Sequence, residues 1–241
     1  MPKLRVKLAR RDEIAAATWA FTLGLDGQAF SFKPGQTIDL TYPNMPTEDP
    51  AGNRRTFSIA SKPGLDHLQI ATRVRGSGFK QSILQADLGT TLELDGPYGS
   101  FTLPNKPSSV VLLTGGIGVT PFRSMALDAA ARSLEHALLM IHSNRTPEEA
   151  PFLEELQRLA SEFRRFTYRP TMTQADRSKR PWNGDRRRVD RDYLSEVIPS
   201  QRDGSLYYAA GPERFVGAVV QILKAMGIDE DQIRFEEFPG Y

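Results

Sequence analysis

The sequence predicts two domains of different class, a six-stranded antiparallel β-barrel over residues 1–103 and a parallel α/β sheet over residues 108–241. Three observations carry that reading. At 241 residues the chain exceeds the ~100–200 residues usual for one domain. Short strand-like runs punctuated by turn signals fill the first part, whereas strand and helix patterns alternate in the second. Between the two parts stands Pro104-Asn105-Lys106-Pro107, a linker by composition.

In chain order, Lys3 to Leu8, Thr18 to Leu25, Gln36 to Thr41, Arg55 to Ala60, His67 to Val74 and Thr91 to Leu94 read as strands. Turns at Asp26-Gly27, Pro34-Gly35 and Pro63-Gly64 help separate them. Phe79 to Ala86 breaks the alternation and predicts a short helix with Phe79, Ile83 and Ala86 on one face. In the second part, Val110 to Leu113 suits a strand buried on both faces. It feeds a glycine-rich turn and a helix from Pro121 to Ala131. Ala137 to Ile141 is the next strand, after which Thr146-Pro147-Glu148-Glu149 offers an N-cap, a proline at the first helical position and a capping-box glutamate. Phe166 to Arg169, Leu206 to Ala209 and Gln232 to Phe238 complete the parallel sheet, with a helix after Pro212. Met172 to Arg188 reads as a long polar loop.

Thirty-one basic residues stand against 29 acidic ones, a formal charge of +2 that argues for no nucleic-acid partner. Arg186-Arg187-Arg188, with only Trp182 as aromatic company, reads as a solvated loop. The absence of cysteine excludes disulfides, thiol nucleophiles and Cys-ligated zinc or iron-sulfur clusters, which leaves any redox chemistry to a bound organic cofactor or to non-cysteine ligands. Residues 1–8 alternate charge with apolar groups and hold no apolar signal core. The apolar stretch from Val110 to Val119 is broken by Thr114-Gly115-Gly116 and is too short to cross a bilayer. A cytoplasmic chain without membrane insertion is the expectation. No Gly-x-Ser-x-Gly elbow, P-loop lysine or His-Glu-x-x-His pair occurs, and His67, His136 and His142 are dispersed.

Ligands of open α/β sheets collect at the carboxyl ends of the strands. After the first such strand comes Thr114-Gly115-Gly116-Ile117-Gly118-Val119-Thr120-Pro121. Gly116 and Gly118 allow backbone to approach a diphosphate, and the helix start at Thr120-Pro121 favours an anion. A tight strand-to-helix turn without ligand accounts for the same residues. After the second strand, Ser143-Asn144-Arg145 carries no acidic residue for ribose hydroxyls; Arg145 beside Ser143 suits a 2′-phosphate and leans to NADPH. A solvated surface arginine is the plainer alternative. At the fourth strand, Ala210-Gly211-Pro212 leaves room for a planar ring or serves close packing. In the barrel, Arg55-Thr56-Phe57-Ser58 sets a cation, an aromatic ring and a hydroxyl within four residues, which suits an aromatic cofactor with a phosphate tail or a half-buried strand with a charged start.

Together these segments resemble the ferredoxin-NADP reductase superfamily, in that family's order and over nearly the whole chain. Arg55-Thr56-Phe57-Ser58 is similar to its Arg-x-Tyr-Ser flavin motif, and Gly96-Pro97-Tyr98-Gly99 to its Gly-Pro-x-Gly turn. Thr114 to Pro121 resembles its Gly-x-Gly-x-x-Pro loop, proline included. Tyr208 to Pro212 resembles its Cys-Gly-Pro segment, with Ala210 in the cysteine position.

The resemblance implies a flavin-binding barrel and a Rossmann-like nucleotide domain. Arg55 would pair with the flavin phosphates, Phe57 pack on the isoalloxazine and Ser58 hydrogen-bond near N5. Gly78, Phe79, Lys80, Gln81 and Ser82 would offer N–H groups to the phosphates, with Thr72 and Arg73 completing the cofactor-binding set. Glu236 and Phe238 correspond to the family's terminal Glu-x-aromatic element, so Ser58 and Glu236 are the expected catalytic pair; Tyr241 either covers the ring or is a loose end. FAD is the implied cofactor, with FMN the alternative, and NADPH or NADH the donor. Electrons would pass to a separate acceptor such as ferredoxin, flavodoxin, a cytochrome or a small molecule. The competing reading is a non-catalytic, nucleotide-binding regulatory module of the same fold.

Overall fold

The computed structural model describes residues 3–198 and 204–238. Its first sheet is built from β1 (Leu4–Ala15), β2 (Thr18–Gly24), β3 (Thr37–Thr41), β4 (Arg54–Ser58), β5 (His67–Arg73) and β6 (Thr91–Tyr98), with one helix, α1 (Gly78–Gln85), between β5 and β6. The strand order is β4-β3-β6-β1-β2-β5, antiparallel throughout. The two outer strands meet where Ala60 N–H, just past β4, donates to Gln69 O of β5 at 2.7 Å, which closes the barrel. Inward-facing positions alternate as period-2 geometry requires, so that Val6 and Leu8, Phe21 and Leu23, Ile38 and Leu40, and Ile70 fill the interior. Each such side chain, fully buried, contributes roughly 1.5–3 kcal/mol.

The first strand runs seven residues past the expected Leu8. Its second half, Arg10-Arg11-Asp12-Glu13, is charged and poorly buried, so no apolar alternation announces it. Irregularities between Leu8 and Arg10 and between Glu13 and Ala15 bend the strand along β2, while Leu4 to Lys7 pair with β6. The helix α1 matches its expected face, with Phe79 and Ile83 buried and Ser77 as its N-cap.

The second sheet consists of β7 (Ser109–Gly115), β8 (Ala137–Asn144), β9 (Phe166–Met172), β10 (Leu206–Pro212) and β11 (Ile233–Phe238), all parallel in the order β11-β10-β7-β8-β9. Helices α2 (Val119–Ala131) and α3 (Leu153–Glu162) cover one face through Phe122, Met125 and Leu156; α4 (Arg191–Val197) and α5 (Glu213–Ala225) cover the other through Tyr193, Val216 and Leu223. Consecutive residues of β7 point to opposite faces and both are covered, hence its unbroken apolar run. Proline at position 121 fits because it lies in the first turn of α2, where N–H groups lack helical acceptors.

One expectation fails locally. Thr146 caps no long helix: Pro147–Glu149 form a single 3-10 turn, and α3 starts only at Leu153, after Phe152 at φ 59°. The carboxylates expected to cap serve elsewhere. Glu148 Oε1 accepts from Ser178 Oγ and the amides of Lys179 and Arg180, while Glu149 faces arginines across a cleft.

Barrel and sheet are joined by a polar seam. Arg123 Nη1 donates to Ala60 O at 2.6 Å and Ser124 Oγ to Ser61 O at 2.6 Å, both from α2 to the segment after β4. Tyr208 Oη donates to Thr102 O at 2.8 Å. Arg123 is itself held by Glu155 through two bonds of 2.6 and 2.8 Å. No helix among the described residues is long and apolar enough to cross a membrane.

Candidate active site

Two cavities open along the seam. The larger, about 1200 Å³, is walled by Phe57, Ser58 and Lys80 of the barrel, Thr120 of α2, and Glu236 and Phe238 of β11. The smaller, about 530 Å³, lies at the carboxyl ends of β7 and β8 against Gly116, Ser143, Arg145 and Pro212, with Arg73 on its barrel side. Ile117 and Arg75 line both, so the cavities meet there. The larger one exceeds the ~300–1000 Å³ of common small-ligand sites and suits a group of dinucleotide size. Beside the smaller one, Thr114 Oγ1 and Asn144 Oδ1 are buried without a hydrogen-bond partner among the described residues, a state that polar atoms rarely keep unless something binds them. The residues present therefore fit a flavin in the first cavity and a nucleotide in the second.

Several expected site residues line neither cavity. Thr72, Phe79, Ser82 and Ala210 are fully buried, and Gly78 and Gln81 are partly buried. Gly118 and Gly211 are required by packing: a Cβ on Gly118 would lie 2.3 Å from Ala210 O, and one on Gly211, at φ +142°, 2.9 Å from Gly115 O. The close-packing reading of this segment is met at Gly211, while Pro212 lines the smaller cavity.

The anion site expected at the start of α1 is already occupied by a side chain. Asp49, in the loop between β3 and β4, accepts from the amides of Phe79 (2.9 Å) and Ala51 (2.9 Å) and from Ser77 Oγ (2.8 Å). Its other partner is Arg55, whose guanidinium also donates to the carbonyls of Ala51, Gly52 and Arg54. The Phe79 and Ala51 amides hold the Asp49 carboxyl well below the usual carboxylate range. Lys80 N–H goes to Ser77 Oγ. Arg55 thus holds the loop against α1, and any phosphate bound here shares it with Asp49. Nearby, Asp39 binds both Arg54 and Thr56.

A parallel correction applies to Arg145. Its Nη2 lies 2.9 Å from Glu149 Oε2, and Arg73 Nη2 lies 2.7 Å from the same oxygen. Glu149 thus shares its single negative charge between two arginines, and with Arg75 on the same cavity the lining keeps an excess of positive charge.

The family model described as Oxidoreductase NAD-binding domain matches residues 112–221, the β7–α5 stretch that carries the glycine turn. The chain is 30% identical to the glycine betaine monooxygenase reductase subunit of Chromohalobacter salexigens, over 87% of this chain and 56% of that protein. It is 29% identical to ferredoxin–NADP reductase B of Sorangium cellulosum, over 88% of each. The crystal structure of an Amycolatopsis cytochrome P450 reductase superposes with a TM-score of 0.82 at 27% identity, over 98% of this chain and 70% of that one.

The chain belongs to the ferredoxin-NADP reductase superfamily. It spans about half the length of several curated relatives it matches.

As a member of that superfamily it brings Arg55, Phe57, Ser58, Lys80, Thr120, Glu236 and Phe238 to one cavity and Arg73, Gly116, Ser143, Arg145 and Pro212 to the other. Phe57 does so while packing on Phe79 at 6.1 Å between centroids. Glu236 is half-buried, and burial pushes its pKa up to about 7. Glu237, the neighbour of Glu236 on the opposite face of the strand by period-2 geometry, also reaches the larger cavity, because β11 is an edge strand at the cavity mouth. Tyr241 lies outside the described residues. The superfamily motifs gave no warning of Asp49, Arg75 or Glu149. Asp49 stands in a Thr-Glu-Asp-Pro turn, and Glu149 looked like a helix cap.

Proposed function

We propose that the chain is a flavin-dependent NAD(P)H reductase, with residues 1–103 holding FAD, or FMN, and residues 108–241 holding NADPH or NADH. The observation that carries this reading is the meeting of the two cavities at Ile117 and Arg75, between the Phe57–Ser58 wall and the glycine turn. Bound flavin would supply the ring that accepts a hydride and releases electrons onward. The protein's part is position and charge. Phe57 and Phe238 would confine the ring from barrel and terminal strand, and Ser58 would offer its hydroxyl to the ring's reactive edge. Gly116 and Ile117 would pass backbone close to the nucleotide diphosphate. Holding two rings in register is worth several orders of magnitude in rate. The acceptor is a separate protein or small molecule; oxygenase components, a cytochrome P450 and ferredoxin are the partner classes named among the relatives. A donor that is an intracellular metabolite supports a cytoplasmic site for the reaction.

Anaerobic titration of the flavin-reconstituted protein with NADH and NADPH tests this. Bleaching of the flavin band is expected. A flavin that binds but that neither nucleotide reduces would end the reductase reading.

Glu236 carries a proton-handling role within the same reading. Raised to about 7, its carboxyl is mostly protonated in mildly acidic solution and mostly ionised in mildly alkaline solution. Turnover plotted against pH should therefore show an ionisation near 7 that Glu236→Gln removes. Superimposable profiles for the two proteins would take Glu236 out of proton transfer.

A further inference from the structure

His142 and Tyr168 are buried side chains for which hydride transfer has no direct use. His142, at the carboxyl end of β8, is fully buried, with Nε2 2.9 Å from the carbonyl of Gly116 and Nδ1 2.8 Å from Tyr168 Oη of β9. The protonation pattern follows from the partners. A carbonyl only accepts, so Nε2 carries the hydrogen; Nδ1 of the neutral ring is then the acceptor, and the Tyr168 hydroxyl is its donor. Burial lowers the His142 pKa to about 4 and raises that of Tyr168, so neither group changes charge near neutrality. The relay is a fixed one.

What it fixes is the peptide between Gly116 and Ile117. That unit is trans, so its C=O and N–H point in opposite directions. Gly116 O is drawn inward by His142, and Val119 N–H occupies its other side. With the carbonyl tied down, the Ile117 N–H is turned away from His142, and both Gly116 and Ile117 line the smaller cavity. Gly116 itself is at φ +54°, and a Cβ there would touch nothing within 4 Å. Backbone conformation, then, is what glycine supplies here, and His142 supplies the orientation.

We propose that His142, set by Tyr168, is a positioning residue for the pyridine nucleotide: it holds the Gly116–Ile117 peptide so that its N–H is presented to the nucleotide's diphosphate. The proposal rests on the reductase reading for the identity of the nucleotide, but its geometry concerns a diphosphate-bearing ligand as such.

Two measurements test it. The first is calorimetric binding of ADP-ribose, which carries the diphosphate and no nicotinamide, to the wild type and to His142→Phe, His142→Gln and Tyr168→Phe. The second is flavin reduction by NAD(P)H and by N-benzyl dihydronicotinamide, which has no phosphate. His142→Phe is expected to weaken ADP-ribose about tenfold and to raise KM for NAD(P)H by a similar factor, with kcat little changed, whereas the phosphate-free donor reacts as with wild type. His142→Gln, which keeps an N–H at the reach of Nε2, restores most of the affinity. Tyr168→Phe, which frees the ring to hold its hydrogen on either nitrogen, falls between; this milder variant decides the matter if His142→Phe does not fold. Unchanged ADP-ribose affinity in both His142→Phe and Tyr168→Phe overturns the proposal, as does an equal slowing of the phosphate-free donor. If ADP-ribose responds as expected while no donor reduces the flavin, the positioning role stands and the reductase reading fails.

Discussion

Gly118→Ala should nearly abolish flavin reduction by NAD(P)H while leaving flavin bound. An alanine Cβ at this position would sit 2.3 Å from Ala210 O, 2.4 Å from Gly211 Cα and 2.6 Å from Ala210 C, all backbone atoms of β10. Since β10 is an inner strand, hydrogen-bonded on both sides, the turn must move and not the strand. Overpacking of this kind costs about 1–3 kcal/mol, and a shift of about 1 Å in a site that aligns two reactants costs about a hundredfold in rate. The barrel wall of the flavin cavity lies elsewhere in the chain and should retain the cofactor. Gly116→Ala separates sterics from backbone conformation. It adds no contact, and at φ +54° it carries only about 1–2 kcal/mol of left-handed strain, so its effect should be clearly smaller. Stopped-flow rates for the two variants decide the point, and equal rates would show that close packing of Gly118 on β10 does not set the site.

Asp49→Ala should lower thermal stability by about 5–10 °C. It strips the acceptor from two backbone amides and the Ser77 hydroxyl, and leaves the half-buried Arg55 side chain without its carboxylate. Losing charge-assisted hydrogen bonds costs about 1.5–3 kcal/mol, and in a chain of this size each kcal/mol is worth about 2–4 °C. Asp49→Asn, which keeps an acceptor but not the charge, should lose less. The sign with pH is set by the direction of the shift. The folded carboxyl is depressed below its ordinary 3.8, so its contribution is complete above that value and is lost as pH falls toward the folded pKa. The gap between wild type and Asp49→Ala should hold constant from neutrality down to about pH 4 and narrow in stronger acid. Coincident melting curves at neutral pH would refute the role given to Asp49.

The architecture was legible because its signals are periodic and local. Apolar alternation marked β2, β3 and β5, the unbroken Val110-Val111-Leu112-Leu113 run marked a strand covered on both sides, and Thr114 to Pro121 marked the strand-to-helix turn. The second half of β1 was not legible, since a strand whose residues face solvent has no apolar rhythm. Within the site, residues carried by motifs, such as Phe57, Ser58 and Glu236, line one cavity. Residues that act by compensating other charges did not declare themselves. Asp49 and Glu149 matter only because folding brings Arg55, Arg73 and Arg145 beside them, and nothing in a turn or a capping pattern encodes that meeting. The role read for Arg55 was incomplete for the same reason.

The seam at Arg123-Ser124 has a mechanical consequence. Those residues grip Ala60 and Ser61, only two or three positions beyond Ser58, and they lie about one helical turn into α2, whose start is the glycine turn. The two halves of the site are thus pinned to each other within a lever arm of about 5.4 Å. A rocking of the two lobes by about 5° about this pin would displace the facing walls by only about 0.5 Å over that short arm. Distant loops can drift, lengthen or swing without spoiling the alignment, because the tolerance of the joint is set where the lever is shortest.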